Sequence, residues 1–255
     1  MRIYNIRFIF IALLALITAS CGAKNAEKDL LSSPTLITQG QNKNLKLSPE
    51  RTKFVDQIGN NLLYRGSLPI ENKQFILQKT LDSMVLESSR KTPVNKALVA
   101  PKTLPKLNNF IDFNLLTALK SSEKADFNIE NDFFSKNPKL GKLIHYDVNV
   151  LFIKGITTGK VGELIDPVIT DLRAQLSKVE DTPRIIYVHC EAGLDRTGAT
   201  IAGYAMRYLK YSYIDALALN VTLGLREPQS YARLAIKLYA IYLRDVIGIK
   251  TIGKI

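Results

Sequence analysis

The sequence predicts an α/β domain with a mostly parallel central sheet flanked by helices. One observation is the run Ile185-Ile186-Tyr187-Val188, apolar without alternation, as a strand covered on both faces requires. A second is that strand-like runs alternate with helix-period runs along the chain, the order that builds parallel sheets. A third is size. The 255 residues, 46% hydrophobic, are enough for one substantial core and too few for two ordinary domains with linkers.

The first twenty residues read as an address. Arg2 and Arg7 precede an apolar run over 8–19, and small residues lead into Cys21, the parts of a secretory signal peptide. The run is short for a bilayer span. Ile17-Thr18-Ala19-Ser20-Cys21-Gly22 also resembles a bacterial lipobox, with Thr18 departing from the usual aliphatic residue. Cys21 is therefore the expected lipidation site, with ordinary cleavage nearby as the alternative. The expected location is outside the cytoplasm, as a periplasmic, lipid-anchored or secreted protein. Residues 21–52 are polar and read as a flexible tether, and the folded domain is placed at 53–250.

Within that domain, 61–69 reads as a strand ending in a turn, 71–80 as a short helix and 84–86 as a short buried strand. Residues 91–139 are rich in Lys, Asn, Ser and Pro and read as a long insertion, with a helix around 110–119. The run 143–150 is the next strand, followed by a loop holding Gly155, Gly159 and Gly162. Helical spacing over 163–176 contains Pro167, which places the helix start near that residue. After the strand 184–189, helical patterns cover 199–209, 214–219 and 230–246.

The segment that carries chemistry is Val188-His189-Cys190-Glu191-Ala192-Gly193-Leu194-Asp195-Arg196-Thr197-Gly198. A buried strand runs into an arc bounded by Cys190 and Arg196, and a helix follows near Thr197. Such an arc can turn successive N–H groups inward as an anion-binding nest, and the helix adds its positive end. Arg196 supplies a planar fork for two phosphate oxygens. The same field favours a thiolate on Cys190. Thr197 is placed to donate its hydroxyl to the sulfur. Gly193 and Gly198 allow curvature and close backbone approach.

This pattern resembles the signature of the protein tyrosine phosphatase superfamily, including the preceding His189 and following Gly198. Residues 63–69 are similar to the entry strand of atypical dual-specificity phosphatases, and 198–207 to their helix after the phosphate loop. The resemblance spans roughly 55–245. It implies Cys190 as nucleophile and Arg196 as phosphate clamp. The backbone of Glu191, Ala192, Gly193, Leu194, Asp195 and Arg196 becomes the oxyanion cradle, with His189 and Gly198 as structural support. It also implies no metal and no organic cofactor. Arg65 reads either as support for the loop or as a surface charge, His145 as a core or surface histidine, and Asp166 as a helix cap.

The family's general acid is an Asp on a loop after the preceding strand, and no Asp lies between Val148 and Gly162. Asp147 ranks first, although it reads as lying inside the strand, and Asp195 second. With 35 basic and 23 acidic residues the chain carries +12, a field that attracts anions. The loop's own side chains are neutral or acidic, which disfavours a polyphosphorylated ring. The expected partner is thus a phosphorylated protein (phosphotyrosine or phosphoserine/threonine) or a small phosphorylated anion. A membrane is reached through Cys21 if modified, and no nucleic acid is expected. Inositol phosphates or phosphoinositides are the alternative substrate, and a catalytically weak phosphate-binding module the alternative class. No metal-ligand cluster stands out by spacing, which disfavours metallophosphatase chemistry. Low-molecular-weight arsenate reductases need resolving cysteines, and this chain has only Cys21 and Cys190.

Overall fold

The computed structural model describes residues 46–106 and 108–255, so the expected export signal, Cys21 and the expected tether up to residue 45 lie outside the described residues. The folded unit begins earlier than expected. Lys46 N donates to Ile70 O, Leu47 is buried, and Pro49–Arg51 form a 3-10 turn. At the other end, buried Ile252 in the turn Lys250–Ile252 carries the unit past residue 250.

Among the described residues seven strands run in chain order: β1 Lys53–Ile58, β2 Asn61–Gly66, β3 Ile70–Glu71, β4 Gln74–Phe75, β5 Phe110–Asn114, β6 Gly141–His145 and β7 Ile185–His189. The helices are α1 Leu77–Val85, α2 Ser121–Lys136, α3 Val148–Thr158, α4 Val161–Ser177, α5 Asp195–Tyr208, α6 Tyr213–Gly224 and α7 Ser230–Asp245. The main sheet has the order β1-β2-β7-β5-β6, with β1 antiparallel and the other four parallel. The expected mostly parallel sheet flanked by helices is therefore the observed architecture.

Register gives this sheet its use. Gly66 and Asn114 both pair with His189, and Asn114 also pairs with His145. The four parallel strands therefore end on one row. Their following loops leave from a single edge, where ligands bind in open α/β sheets.

The two faces differ in chemistry. Leu63, Ile111, Phe113, Ile186 and Val188 point to the face covered by α3 to α7. Period-two alternation turns Phe110, Asp112 and Asn114, with Ile185, Tyr187 and His189, toward the opposite face. There α2 buries Glu123, Asp126, Glu130 and Phe134. This side is aromatic at one end, where Phe110 stacks on Phe134 at 6.2 Å between centroids. At the site end it is polar.

Several local expectations are corrected. Residues 110–114, read as helical, are the fully buried strand β5. A short apolar run has no decisive period, and burial on both faces decides it. Residues 84–86 end α1 instead of forming a strand, with Leu86 exposed. Residues 70–75 are the β3–β4 hairpin, and the helix starts after it. Residues 91–139 are no simple insertion, since they supply β5 and α2. The expected glycine loop over 155–162 is mostly helix: α3 ends at Gly159, whose φ of 71° reverses the chain into α4. Pro167 lies inside α4, within its second turn, and does not start it.

Candidate active site

Cys190 is the first residue after β7 and is 2% exposed at the centre of this edge. The backbone from 190 to 194 is tied on its outer side, carbonyl by carbonyl. Cys190 O lies 3.3 Å from His189 Nδ1. Glu191 O accepts from Leu68 N at 3.1 Å, and Ala192 O from Arg51 Nη1 at 3.1 Å. Gly193 O accepts from the fully buried Arg65, and Leu194 O from Gly198 N at 2.8 Å. Across a planar peptide the N–H points opposite to the C=O. Anchoring the carbonyls outward therefore leaves the amides facing the hollow of the arc. Among the described residues, none of the N–H groups of 191–196 donates to a protein acceptor. That is an anion nest at the start of α5.

Gly193 makes the arc possible. Its φ is +68°, and a Cβ there would run into the Gly66 carbonyl oxygen. Gly198 sits against Asn220 with no room for a side chain.

Arg196 lies on the first turn of α5. Its Nη1 donates to Leu115 O at 3.0 Å and to Glu123 Oε2 at 2.5 Å, and its Nη2 donates to Glu123 Oε1 at 3.0 Å. These bonds use three of the five guanidinium N–H groups and leave Nε–H and one Nη2–H, the side-on edge suited to an oxyanion. Burial works against the charge of Arg196, but Cys190 and Glu123 outweigh it and hold its pKa above the usual range. Burial likewise opposes ionisation of Glu123. The hydrogen bond and charge of Arg196 prevail, with help from Thr117 N and Lys120, and hold Glu123 down to about 2. Lys120 lies 3.1 Å from Glu123 and 3.6 Å from Glu191, so it spans the mouth of the loop.

Arg65, which read either as loop support or as a surface charge, is 0% exposed. Burial lowers its pKa to about 10, opposed chiefly by the neighbouring Cys190. His189 Nε2 is 2.7 Å from Asp112 Oδ1, consistent with a supporting role. His145 is exposed, with Nε2 at 3.0 Å from Leu116 O.

The two acid candidates are separated by their partners. Asp147 is not within the strand: β6 ends at His145, and Asp147 caps α3 by accepting from Val150 N at 3.1 Å. Its Oδ2 accepts from Thr117 Oγ1 at 3.1 Å and Ala118 N at 3.0 Å, on the loop that also gives Leu115 O to Arg196. Asp195 is bound by Arg226 at 2.7 Å and by Gln229 N at 2.8 Å. Both its oxygens are engaged there, as both oxygens of Asp147 are at the start of α3 and on the 117–118 loop, and these contacts tie the start of α5 to the α6–α7 connection. Asp166, expected as a cap, lies inside α4 and accepts from Tyr239 and Arg207. The bond expected from Thr197 to the sulfur is not formed. The helix starts at Asp195, two residues early, and the Thr197 hydroxyl is buried without a hydrogen-bond partner.

The fold also gathers residues that no spacing announced. Asp112, Glu130 and His189, far apart in sequence and all buried, have ligating atoms within 4.8 Å of one another. The expectation that no such cluster exists is thus corrected. Glu123, Lys120, Arg51, Asp112 and Glu130 were all missed, because their partners across the site lie from 59 residues (Glu130 to His189) to 141 residues (Arg51 to Ala192) away and leave no local pattern.

The central strand of the α/β sheet thus delivers a buried cysteine into a nest bordered by an arginine, an arrangement suited to an oxyanion. No family model matches the chain. The human and mouse dual specificity protein phosphatases CDC14A are each 36% identical to it over 74 residues, 29% of the chain. The match covers 11% and 10% of those proteins, so the chain spans about a tenth of the length of the curated relatives it matches. The core catalytic domain of PP-IP phosphatase SIW14 from S. cerevisiae, solved with citrate, superposes with a TM-score of 0.36 at 16% identity, over 76% of this chain and 88% of that one. Over those 74 residues the chain is similar to dual specificity protein phosphatases.

Proposed function

We propose that the protein hydrolyses phosphate monoesters through a phosphocysteine on Cys190, with phosphorylated proteins as substrates. The observation that carries this reading is the outward anchoring of the carbonyls of residues 190–194, which turns the amides of 191–195 toward the hollow beside Cys190 and the free edge of Arg196. In the first step the Cys190 sulfur attacks phosphorus. The S–P bond forms as the ester P–O bond breaks, and Asp147 gives the leaving oxygen its proton. Water then attacks phosphorus, its proton passes to Asp147, and the P–S electron pair returns to the sulfur. Charge on the equatorial oxygens is held by the amides and Arg196 throughout. To act, Asp147 must give up at least one of its three donors, which a substrate entering over the 117–118 loop can bring about.

The loop side chains favour a singly phosphorylated group. Glu191 stands at the mouth and Lys120 is already paired with it, so the rim carries little free positive charge for a second phosphate. Inositol phosphates remain the competing substrate class, supported by the overall +12 charge. We also read the chain as exported and anchored through Cys21, which labelling with an alkyne palmitate analogue tests: label should appear and be lost in Cys21→Ala.

The deciding assay is p-nitrophenyl phosphate turnover by wild type and Cys190→Ser, with EDTA and with vanadate. EDTA-resistant, vanadate-sensitive turnover that vanishes in the variant is expected. A folded, reduced wild type no faster than the variant would leave a phosphate-binding module as the better reading.

A further inference from the structure

Behind the loop, on the side of the sheet covered by α2, the structure holds a group of ionisable side chains that meets the loop through His189 and the Cys190 carbonyl. His189, Asp112 and Glu130 are each 0% exposed. His189 Nε2 faces Asp112 Oδ1 at 2.7 Å and Glu130 Oε1 at 3.5 Å, while Nδ1 faces the Cys190 carbonyl at 3.3 Å. Carbonyls and carboxylates only accept, so each ring nitrogen needs its own proton to make these contacts. Two carboxylate oxygens of the group, Asp112 Oδ2 and Glu130 Oε1, are buried without a partner. Leaving such oxygens bare in the interior is costly, and a proton on Glu130 Oε1 makes a donor of one of them.

We propose that Asp112, Glu130 and His189 form a buried proton-sharing unit in which Glu130 is a carboxylic acid bonded to Asp112 and His189 carries protons on both nitrogens, placing a cation against the carbonyl of Cys190. The unit is then neutral overall, which its burial demands. The surroundings agree with this assignment. Asn114 donates its amide to Glu130 Oε2, leaving Oε1 as the protonated oxygen. Burial, and then the charge of Asp112, raise the pKa of Glu130 well above the usual carboxylate range. The other charged neighbours are already matched or distant: Asp126 on α2 is paired with Lys46 at 2.5 Å. On β7 the ring of Tyr187 lies on that of His189, 5.6 Å between centroids, and on β2 Arg65 is turned to the Gly193 carbonyl.

A divalent cation at the same place is the competing occupant. Tetrahedral ligands at about 2 Å from an ion sit roughly 3.3 Å apart, and the 2.7 Å between Nε2 and Oδ1 is instead a hydrogen-bond distance.

His189 is in this reading a positioning residue: its charge orients the first carbonyl of the loop and favours an anion at Cys190. Only that last step rests on the proposed function. The test reads protons directly and needs no turnover. The chain has two histidines, so selective ¹⁵N-histidine labelling of the folded protein gives two imidazoles. His145→Gln identifies the remaining one. One-bond N–H couplings at both nitrogens of His189 are expected between about pH 6 and about pH 8. Asp112→Asn should remove one of them and slow iodoacetamide alkylation of Cys190 about tenfold at pH about 6, the effect of losing a nearby charge. Glu130→Gln, whose amide can replace the acid O–H as donor, should keep both couplings. A singly protonated His189 in the wild type overturns the proposal, whatever the variants do. So does loss of a coupling in Glu130→Gln, or a stoichiometric metal detected by elemental analysis of untreated protein.

Discussion

Replacing Glu123 by Gln tests how Arg196 is held. The wild-type carboxylate receives both Nη groups of Arg196, Thr117 N and Lys120 while being 0% exposed. A Gln keeps the shape but turns an amide N–H toward guanidinium N–H groups and removes the charge. The magnitude follows from the ionisation of Glu123, whose pKa falls from an ordinary 4.5 to about 2. That is a shift of about 2.5 pH units, and at about 1.4 kcal/mol per unit it corresponds to roughly 3 kcal/mol. A carboxyl whose folded pKa is depressed gives stability that is full above its unfolded pKa and lost as pH falls through its folded pKa. The contribution should therefore be complete above about pH 5, shrink below about pH 4.5 and be gone near about pH 2. Urea denaturation of residues 46–255 should show Glu123→Gln about 3 kcal/mol less stable at neutral pH, the gap closing on acidification. In turnover of p-nitrophenyl phosphate the variant should lose at least tenfold in kcat/KM, because Arg196 is no longer fixed relative to the nest. A gap under about 1 kcal/mol at neutral pH, or one that persists unchanged at about pH 3, would refute the claim that the ion pair holds this arginine.

Three further outcomes are expected. Asp147→Asn should slow hydrolysis of alkyl phosphates far more than that of p-nitrophenyl phosphate, whose leaving group needs little proton help, and leave vanadate affinity unchanged; equal losses for both esters would remove Asp147 as the acid. Gly193→Ala should abolish tungstate or vanadate binding measured by calorimetry and destabilise the domain by about 1–3 kcal/mol, because a Cβ at φ +68° meets the Gly66 carbonyl. Asp195→Asn should lower thermal stability by weakening the Arg226 contact while the acidic limb of the pH–rate profile stays in place; a shifted limb would return Asp195 to the role of acid.

Legibility in the sequence followed the range of the interactions. The phosphate loop could be read directly because strand, cysteine, glycines, arginine and helix start are contiguous, and the backbone geometry there is local. The parallel sheet was legible at 185–188, where burial on both faces leaves an unbroken apolar run. It was not legible at β5, where Asp112 and Asn114 interrupt Phe110, Ile111 and Phe113. Those polar residues face α2, so the pattern is that of a strand with one polar face turned inward, which no local period distinguishes from loop or helix. The same cause hid Glu123 and Glu130, which resemble surface carboxylates on a polar helix until the fold sets them against Arg196 and His189.

What the sequence by itself determined is that Cys190 and Arg196 bound one strand–arc–helix segment and the class of sheet that presents it, because chain neighbours need no folding to be neighbours. Which carboxylate grips the arginine, that Asp147 caps a helix while Asp195 is tied to Arg226, and that a histidine lies between two buried acids were decided by tertiary structure alone. Each depends on side chains brought together across the sheet, where burial makes pairing obligatory.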